Sequence, residues 1–333
     1  MTRRIAFVTG GAGFIGSNIA AKLAEDRSLD VVVCDRLRES ECGKWKNIAK
    51  HAIGDFVAPD EMFDWLRRRW RDVEVVIHMG AISSTTESDV DRIVRTNFAL
   101  SRDLFGWCAD HGRRLIYASS AATYGAGADG FDDDNDYEAL AALRPLNTYG
   151  WSKALFDLFA VRQALRDYAP PQWVGLKFFN VYGPNEEHKR SMKSVASQIW
   201  PHVRDGHAVQ LFKSYRPDVP DGGQQRDFVY VRDAAEVAEW LLQNPQVNGI
   251  YNLGSGKARS FEDMARSVFK AAGKTPQIDY TPMPPAIRDK YQYFTEAKMD
   301  RLKAAGYAKP MTPLEQGIDD YVTGYLSQPD PYR

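Results

Sequence analysis

A tyrosine and a lysine four residues apart, Tyr149 and Lys153, are the side chains of this sequence best placed to move a proton. They stand in the stretch NTYGWSK, which follows Pro145 and leads into an apolar-periodic segment typical of the start of a helix. Residues at this spacing share one face of a helix. A phenol with its ordinary pKa of about 10 is a poor base at neutral pH, and a neighbouring ammonium lowers that pKa by stabilising the phenolate. The pair predicts a tyrosine that shuttles a proton, although the same spacing also occurs on ordinary helix surfaces.

A glycine-rich turn near the beginning of the sequence is suited to hold a dinucleotide. Residues 5–8 form an apolar run typical of a parallel strand buried on both faces, and they lead into TGGAGFIG at 9–16, after which helical periodicity follows. Glycines in such a turn let the backbone approach a ligand, and the N-terminus of the following helix offers N–H groups to a pyrophosphate. The residues assigned to the cofactor here are Gly10, Gly13, Phe14, Ile15 and Gly16.

An acidic residue at the end of the second predicted strand, Asp35, bears on which dinucleotide is bound. It lies 19 residues beyond Gly16, where a carboxylate can accept hydrogen bonds from the adenosine ribose of NAD. Arg36, Arg38 and Lys44 follow it, and such cations can instead bind the 2′-phosphate of NADP. We assign Asp35, Arg36 and Lys44 to the cofactor site. The residues leave NAD and NADP both open, and the cations equally fit a solvated loop.

A third apolar run leads into a turn of small residues that leaves room for the ribose and nicotinamide of a dinucleotide. This run, VEVVIH at 73–78, ends in His78, which we predict to be structural rather than catalytic. A helical pattern follows from 89 to 110. The further cofactor contacts assigned around these elements and the last strand of the sheet are Met79, Gly80, Ala81, Ser83, Asn97 and Val181.

Hydroxyl groups at the end of the next strand are candidates to orient a substrate. The run RLIYA at 114–118 delivers Ser119 and Ser120 to its carboxyl end, and ligands of open parallel sheets bind beyond the carboxyl ends of the strands. Hydroxyls at such positions also serve as helix caps. The acidic stretch 129–136 is predicted to be a solvated loop over the site, with no metal bound.

Strands and helices alternate regularly as far as a strand at 173–184. The fold class predicted is therefore α/β, a Rossmann-like doubly wound parallel sheet with a smaller α/β C-terminal substrate lobe. We place the dinucleotide-binding domain at 1–180 with a returning segment at about 226–248, and the substrate-binding lobe at 181–225 and 249–333. The polar and basic stretch 185–194 marks the change in character and is expected to recognise the substrate.

Composition excludes several other classes of function. The 333 residues are 44% hydrophobic with a formal net charge of −1, so no overall basic field attracts nucleic acid or an anionic membrane. The three cysteines show no metal-ligand spacing and no disulfide framework, which fits a reducing compartment. No apolar run approaches the roughly 18 to 20 residues of a membrane span. We expect a soluble cytoplasmic protein.

Taken together, these motifs resemble the extended short-chain dehydrogenase/reductase superfamily, in particular its nucleotide-sugar epimerases and dehydratases. The matching stretches are TGGAGFIGSNI at 9–19, SSTTE at 83–87, YASSAATYG at 117–125, FNVYGP at 179–184, HKRSMKSVA at 188–196, RDFVYV at 226–231, YQYFTEA at 291–297 and LKAAGY at 302–307. Two features depart from the pattern of the superfamily: a longer loop at 213–225, and Arg36 in place of a smaller polar residue.

The resemblance implies an epimerase that oxidises the carbon-6 hydroxyl of an ADP-linked heptose with tightly held NADP, with NAD as the alternative, and returns the hydride to the other face of the ketone. An inverted centre presents its oxygen in two orientations, so two acid/base groups suit it. The resemblance places these roles on Tyr149 and Lys189, has Lys153 lower the tyrosine pKa and hold the nicotinamide ribose, and has Ser120 orient the substrate. It also puts Lys189 beside the cofactor and implies a homo-oligomer, specifically a homopentamer. The substrate contacts that it implies are Ser83, Ser120, Asn180, Ser191, Phe212, Lys213, Ser214, Tyr215, Arg226 and Tyr291.

Two other functions compete with this one. A sugar 4,6-dehydratase of the same superfamily carries an Asp-Glu pair just after the strand-end hydroxyl, where this sequence has residues 121–123, Ala-Ala-Thr. A non-catalytic nucleotide-sensing protein of the same fold typically lacks the tyrosine or the lysine. Another nucleotide-sugar epimerase is the third alternative.

Overall fold

A computed structural model of the chain describes residues 4–37, 43–85, 87–288 and 291–333. Arg38 and Cys42 lie outside these residues. The strands are β1 (Arg4–Thr9), β2 (Leu29–Cys34), β3 (Asp55–Val57), β4 (Val73–His78), β5 (Arg114–Ser120), β6 (Trp173–Phe178), β7 (Asn180–Tyr182), β8 (Val209–Phe212), β9 (Gln225–Tyr230), β10 (Gly249–Leu253), β11 (Ala258–Ser260) and β12 (Ile278–Thr281). The helices are α1 (Phe14–Leu23), α2 (Met62–Arg69), α3 (Val90–Ile93), α4 (Leu100–Asp110), α5 (Tyr137–Ala142), α6 (Thr148–Ala164), α7 (Val195–Asp205), α8 (Val231–Gln243), α9 (Phe261–Ala271), α10 (Pro285–Arg288), α11 (Asp300–Ala304) and α12 (Leu314–Tyr321).

The larger lobe is built on a seven-stranded sheet in the order β10-β6-β5-β4-β1-β2-β3. All of its neighbouring strands are parallel. Helices cover both faces: α1 and α8 pack with the side chains of one face, and α4 and α6 pack with those of the other. The predicted doubly wound parallel fold is confirmed. The strand order reverses between β1 and β4, which is where such sheets open a ligand crevice.

The smaller lobe combines a three-stranded sheet, β11-β9-β7, with a two-stranded sheet, β12-β8. Its core contains apolar side chains of α7, α9 and α12. This arrangement differs from the predicted partition of the chain, because β9 lies in the small sheet while β10 pairs with β6 in the large one. Both strands are apolar runs followed by helices or turns, so periodicity alone does not say which sheet each one joins.

The acidic segment 129–136, expected to be a solvated loop over the site, lies along β10 instead. Phe131 and Asp133 are buried. The Asn252 N–H donates to Asp133 Oδ2 at 2.7 Å, and the Ile250 N–H donates to Asn135 Oδ1 at 2.6 Å. β10 is the last strand of its sheet, and its outward N–H groups need partners. Asp133 and Asn135 supply those partners, while Asp129, Asp132, Asp134 and Asp136 remain exposed.

The long helical pattern at 89–110 is one helix interrupted by a π turn. α3 continues into Val94–Ala99, whose backbone is a π-helical turn, and then into α4. Such turns often occur at functional sites, and Asn97 lies within this one. In the described residues, no helix is both long and apolar enough to cross a membrane.

Candidate functional site

A cavity of about 820 Å³ opens beyond the carboxyl ends of β1, β4 and β5, between the two lobes. Its volume falls in the range of about 300–1,000 Å³ that is typical of small-molecule sites. The cavity brings together most of the residues assigned from sequence. Those that line it are Gly10, Gly13, Phe14, Ile15, Gly16, Asp35, Lys44, Met79, Gly80, Ala81, Ser83, Ser120, Tyr149, Lys153, Asn180, Val181, Lys189 and Arg226.

The glycine turn between β1 and α1 fits a dinucleotide diphosphate. Gly10 has a φ of 64°, and a Cβ there would lie 2.6 Å from the Gly80 nitrogen. A Cβ at Gly16 would overlap the Gly10 carbonyl oxygen. α1 therefore starts close against the cavity, and no side chain caps its first turn at Gly13. The uncapped N–H groups and the positive end of the helix dipole suit a bound diphosphate.

Asp35 is held at the end of β2 by three donors. Its Oδ2 accepts from the Ala12 N–H at 2.9 Å, and its Oδ1 accepts from the Arg36 N–H at 2.7 Å and from Lys44 Nζ at 2.6 Å. Lys44 and Asp35 thus line the cavity as an ion pair. The Arg36 guanidinium instead donates to Asp60 Oδ1 at 2.6 Å, on the surface. The structure places the Arg36 side chain outside the cavity lining.

The predicted catalytic helix is α6, and it begins where the sequence pattern places it. Asn147 caps it by accepting from the Gly150 N–H at 2.8 Å. Lys153 Nζ donates to the Ala118 carbonyl of β5 at 2.7 Å. Burial lowers the pKa of Lys153 to about 8, because desolvation disfavours the ammonium. The lysine is thus fixed to the strand that delivers Ser120.

The pKa of Tyr149 is raised above its ordinary value, mainly because burial disfavours the phenolate, while a hydrogen bond with Ser120 acts in the opposite direction. This corrects the expectation that Lys153 lowers the tyrosine pKa. Desolvation of the buried phenol is the largest cause of the raised pKa, and the Asp157 carboxylate raises it further. The phenol is therefore protonated at neutral pH and able to donate.

A buried chain of hydrogen bonds runs behind the cavity from β1 to the π turn. The Gly80 N–H donates to Thr9 Oγ1, which lies 2.6 Å from His78 Nδ1. On its other side, His78 Nε2 lies 2.9 Å from Ser101 Oγ, whose hydroxyl donates to the Asn97 carbonyl. Because that hydroxyl proton is used, Ser101 must accept from Nε2–H, and Nδ1 must accept from Thr9. Burial lowers the pKa of His78 to about 3, so it stays neutral, as predicted for a structural histidine.

Asn97 lies behind the cavity wall rather than on it. Its Oδ1 accepts from the Ile82 N–H at 2.8 Å, and its Nδ2 donates to the Ile82 carbonyl and to Ser152 Oγ, each at 3.0 Å. Ser152 in turn donates to the Tyr149 carbonyl at 2.7 Å. Asn97 thus joins the turn after β4 to the first turn of α6, and it acts on the cavity through those elements.

Sequence reasoning missed a buried ion pair on the inner side of α6. Asp157 and Lys177 are essentially inaccessible, with Lys177 Nζ 3.4 Å from Asp157 Oδ2. The same carboxylate accepts from Ser119 Oγ at 2.6 Å and from Tyr117 OH at 3.1 Å, and Lys177 donates to Thr123 Oγ1 at 2.8 Å. Asp157 lies four residues after Lys153, a spacing that could have placed it on the inner face. Nothing in the sequence identified Lys177 as its partner.

Two cations from beyond α6 in the chain, Lys189 and Arg226, also line the cavity. Lys189 stands in the 3₁₀ turn Glu187–Met192, with its Nζ 4.9 Å from the centroid of the Phe14 ring. The Arg226 guanidinium lies over the rings of Phe261 and Tyr291, at 5.6 and 5.2 Å. Burial lowers the pKa of each of these two cations. Phe261 and His188, which also line the cavity, were not identified from sequence.

The remaining assigned substrate residues do not line the cavity. Tyr291 packs edge-on against Phe212 at 6.3 Å between ring centroids. Tyr291 also contacts the guanidinium of Arg226, which lines the cavity. Ser191 is exposed. Tyr215 is exposed and stacks under the Arg288 guanidinium at 3.8 Å. In the same loop, the Lys213 N–H donates to the Thr281 carbonyl, and the Ser214 N–H donates to Asp221 Oδ1.

Comparison with known proteins gives a consistent result along the chain. A model of the NAD dependent epimerase/dehydratase family matches residues 6–254. The chain is 48% identical to an ADP-L-glycero-D-manno-heptose-6-epimerase of Nitratidesulfovibrio vulgaris, over 98% of this chain and 99% of that protein. Among solved structures, it is similar to that of the ADP-L-glycero-D-manno-heptose-6-epimerase of Helicobacter pylori, with a TM-score of 0.79 and 28% identity over 98% and 97% of the two chains. It is also similar to UDP-glucose 4-epimerase of Thermus thermophilus in complex with NAD, with a TM-score of 0.73 and 29% identity over 95% and 96%.

Replacing Asp157 by Ala is expected to lower the free energy of unfolding by about 3–5 kcal/mol, because it leaves the Lys177 ammonium buried without its counter-charge. Urea denaturation followed by circular dichroism measures the change. Adding Lys177→Met to the Asp157→Ala variant is expected to recover part of the loss. The control is Asp205→Ala at an exposed helix end, which should leave stability unchanged. Equal stability of Asp157→Ala and wild type would contradict the role of the pair.

Proposed function

The chain belongs to the NAD dependent epimerase/dehydratase family, and from this we propose that it inverts carbon 6 of the heptose in ADP-glycero-manno-heptose. The reaction contributes precursors of the lipopolysaccharide core. The observation that carries the proposal is that one cavity is lined by the glycine turn, by Tyr149 and by Lys189. The ADP-L-glycero-D-manno-heptose-6-epimerase of Nitratidesulfovibrio vulgaris, to which the chain is similar over nearly its full length, supports it.

The proposed reaction needs a dinucleotide that is not consumed. When bound, the nicotinamide dinucleotide supplies a reversible hydride acceptor, so that the carbon-6 hydroxyl passes through a ketone. Tyr149 and Lys189 exchange protons with the carbon-6 oxygen in its two orientations, each serving the face that it lies against. Ser120, hydrogen-bonded to the phenol, orients the substrate oxygen. Arg226 is suited to hold the diphosphate of the sugar nucleotide in bidentate fashion.

Dehydration is a weaker candidate. The positions after Ser120 form a 3₁₀ turn of residues Ala121–Tyr124, and Thr123 there is buried and bonded to Ser120 and Lys177. None of these side chains can act as an acid and base pair for loss of water. A non-catalytic nucleotide sensor would retain the cavity but show no turnover, and activity measurements separate it from the epimerase.

We propose NADP as the cofactor, with NAD as the alternative. Lys44 lines the cavity beside Asp35, which offers a cation to a 2′-phosphate while its partner carboxylate suits a ribose hydroxyl. The family relationship supports a nucleotide cofactor of this kind in general. We further propose that the protein acts in the cytoplasm as a homo-oligomer, with the homopentamer expected from the resemblance.

The test of the proposed function is incubation of the purified protein with each ADP-heptose epimer, followed by NMR of the carbon-6 configuration. We expect both epimers to reach the same equilibrium mixture without added cofactor. Conversion of neither epimer, with or without added NAD and NADP, would contradict the epimerase. Formation of a product that has lost water would favour the dehydratase.

Tyr149→Phe is expected to lower the epimerisation rate by about 10²- to 10⁴-fold, the usual contribution of a positioned acid/base group, while bound cofactor is retained. The control is Tyr168→Phe, which removes an exposed phenol bonded to Asp110 and should keep wild-type rates. A Tyr149→Phe enzyme that turns over at the wild-type rate would remove the phenol from the mechanism.

Denaturing the purified protein is expected to release NADP, identified by its absorbance and mass. Lys44→Ala should then weaken NADP binding by about 10- to 100-fold, as expected for a charge-assisted hydrogen bond, and should spare NAD binding. Lys46→Ala is the matched control, because Lys46 lies over the Tyr332 ring and not in the cavity. Release of NAD alone, with no effect of Lys44→Ala on the choice of dinucleotide, would assign NAD instead.

A further inference from the structure

Glu186 is a completely buried carboxylate that none of the roles assigned so far uses. It follows β7 and immediately precedes the 3₁₀ turn that carries Lys189. Its Oε1 accepts from Ser194 Oγ at 2.5 Å and from Tyr321 OH at 2.9 Å, and its Oε2 accepts from the Ser194 N–H at 2.5 Å. The structure therefore places an ionisable group where it is fully excluded from solvent, which is costly unless the charge is compensated.

These bonds fix both ends of the turn that bears Lys189. Ser194 is the N-cap of α7 and Tyr321 belongs to α12, so the carboxylate ties the turn to two helices of the smaller lobe. The Lys189 N–H donates to the Glu186 carbonyl at 2.9 Å. On the other side, Asn185 donates to Ser17 Oγ of α1 at 3.0 Å. The turn is thereby held between the smaller lobe and α1, the helix that follows the glycine turn.

Lys189 is a cation that interacts electrostatically with this carboxylate. Burial raises the pKa of Glu186, and Lys189 is the cation that acts against this effect. Reciprocally, burial lowers the pKa of Lys189 and Glu186 raises it. Within the same turn, Glu187 is paired with Lys193 at 3.1 Å. From α12, the Tyr321 phenol faces Glu186, and its own pKa is raised well above the ordinary value.

We propose that Glu186 is the positioning residue of the second acid/base: its hydrogen-bonded carboxylate fixes the turn that presents Lys189 to the cavity, and its negative charge stabilises the Lys189 ammonium. This inference rests on the proposed function, in which Lys189 exchanges a proton with the carbon-6 oxygen. It assigns no contact with the substrate to Glu186.

The decisive measurement is the pH dependence of kcat/KM in both directions of epimerisation. In Glu186→Gln, the hydroxyls of Ser194 and Tyr321 can turn to satisfy the amide, while the negative charge is lost. The ammonium of Lys189 then loses its stabilising partner, so its ionisation moves to lower pH. When Lys189 acts as the acid, the alkaline limb of the profile moves to lower pH, and when Lys189 acts as the base in the reverse direction, the acidic limb moves the same way. The rate at neutral pH for the direction in which Lys189 is the acid is expected to fall, because a smaller fraction of Lys189 is then protonated.

Three further variants separate the effect of the Glu186 charge from the effect of its hydrogen bonds. Tyr321→Phe removes a hydrogen bond and no charge, so it should lower the rate without moving the limbs of the profile. Glu186→Asp keeps the charge with a shorter reach, and it should lower the rate while its limbs stay at the wild-type pH, which also serves if Glu186→Gln does not fold. In a Lys189→Met background, Glu186→Gln should cause no additional shift, because residues that act through one another are not additive.

Different results would contradict the role of Glu186 and the proposed epimerase function. If Lys189→Met nearly abolishes turnover but the profile of Glu186→Gln superimposes on wild type, the role of Glu186 is overturned and the epimerase stands. If Glu186→Asp shifts the limbs as much as Glu186→Gln, charge is not the operative property and the inference also fails. If Lys189→Met epimerises at the wild-type rate, the second acid/base of the proposed function is wrong, and the role of Glu186 fails with it.

Discussion

The position of α6 depends on polar groups that its inner face buries. Ser152, Lys153 and Asp157 are all buried, and each finds its partner in a different element: Asn97 in the π turn, Ala118 in β5 and Lys177 in β6. Apolar packing tolerates small sliding movements of a helix, whereas buried hydrogen bonds and ion pairs do not, because a displaced partner leaves an unsatisfied group. One register of α6 satisfies all of these contacts, and that register points the phenol into the cavity.

Burial also sets the protonation of the site. It holds the Tyr149 phenol protonated, keeps His78 neutral and lowers the pKa of Lys153 to about 8. A site of this kind works by excluding water, since the same groups in water would keep their ordinary pKa values. Electrostatic partners then adjust each group individually. Burial raises the pKa of Tyr149 but lowers the pKa of Lys153 on the same helix, because desolvation disfavours the phenolate in one case and the ammonium in the other.

The sequence predicted the fold class and the residues of the local motifs. It did not predict contacts between segments that lie far apart in the chain. The glycine turn and the pair Tyr149 and Lys153 are local patterns whose geometry follows from backbone periodicity. The spacing from Lys153 could have placed Asp157 on the inner face of α6, but nothing local identifies its partner Lys177 in β6. The role of Glu186 depends likewise on Tyr321, which lies 135 residues further along the chain. The same reason explains the misplacement of β9 and β10: an apolar run predicts a strand but does not name its neighbour. The raised pKa of Tyr149 likewise depends on three-dimensional burial, which spacing does not encode.

The segment that covers β10 has a consequence for how copies of this chain can associate. The side chains of Asp133 and Asn135 already occupy the outward backbone donors of Asn252 and Ile250, so another polypeptide cannot add there by backbone pairing. Two copies of the chain therefore cannot pair their seven-stranded sheets edge to edge along β10. Any association of copies has to use other surfaces, and the covered edge also protects the protein against fibrous aggregation along that strand.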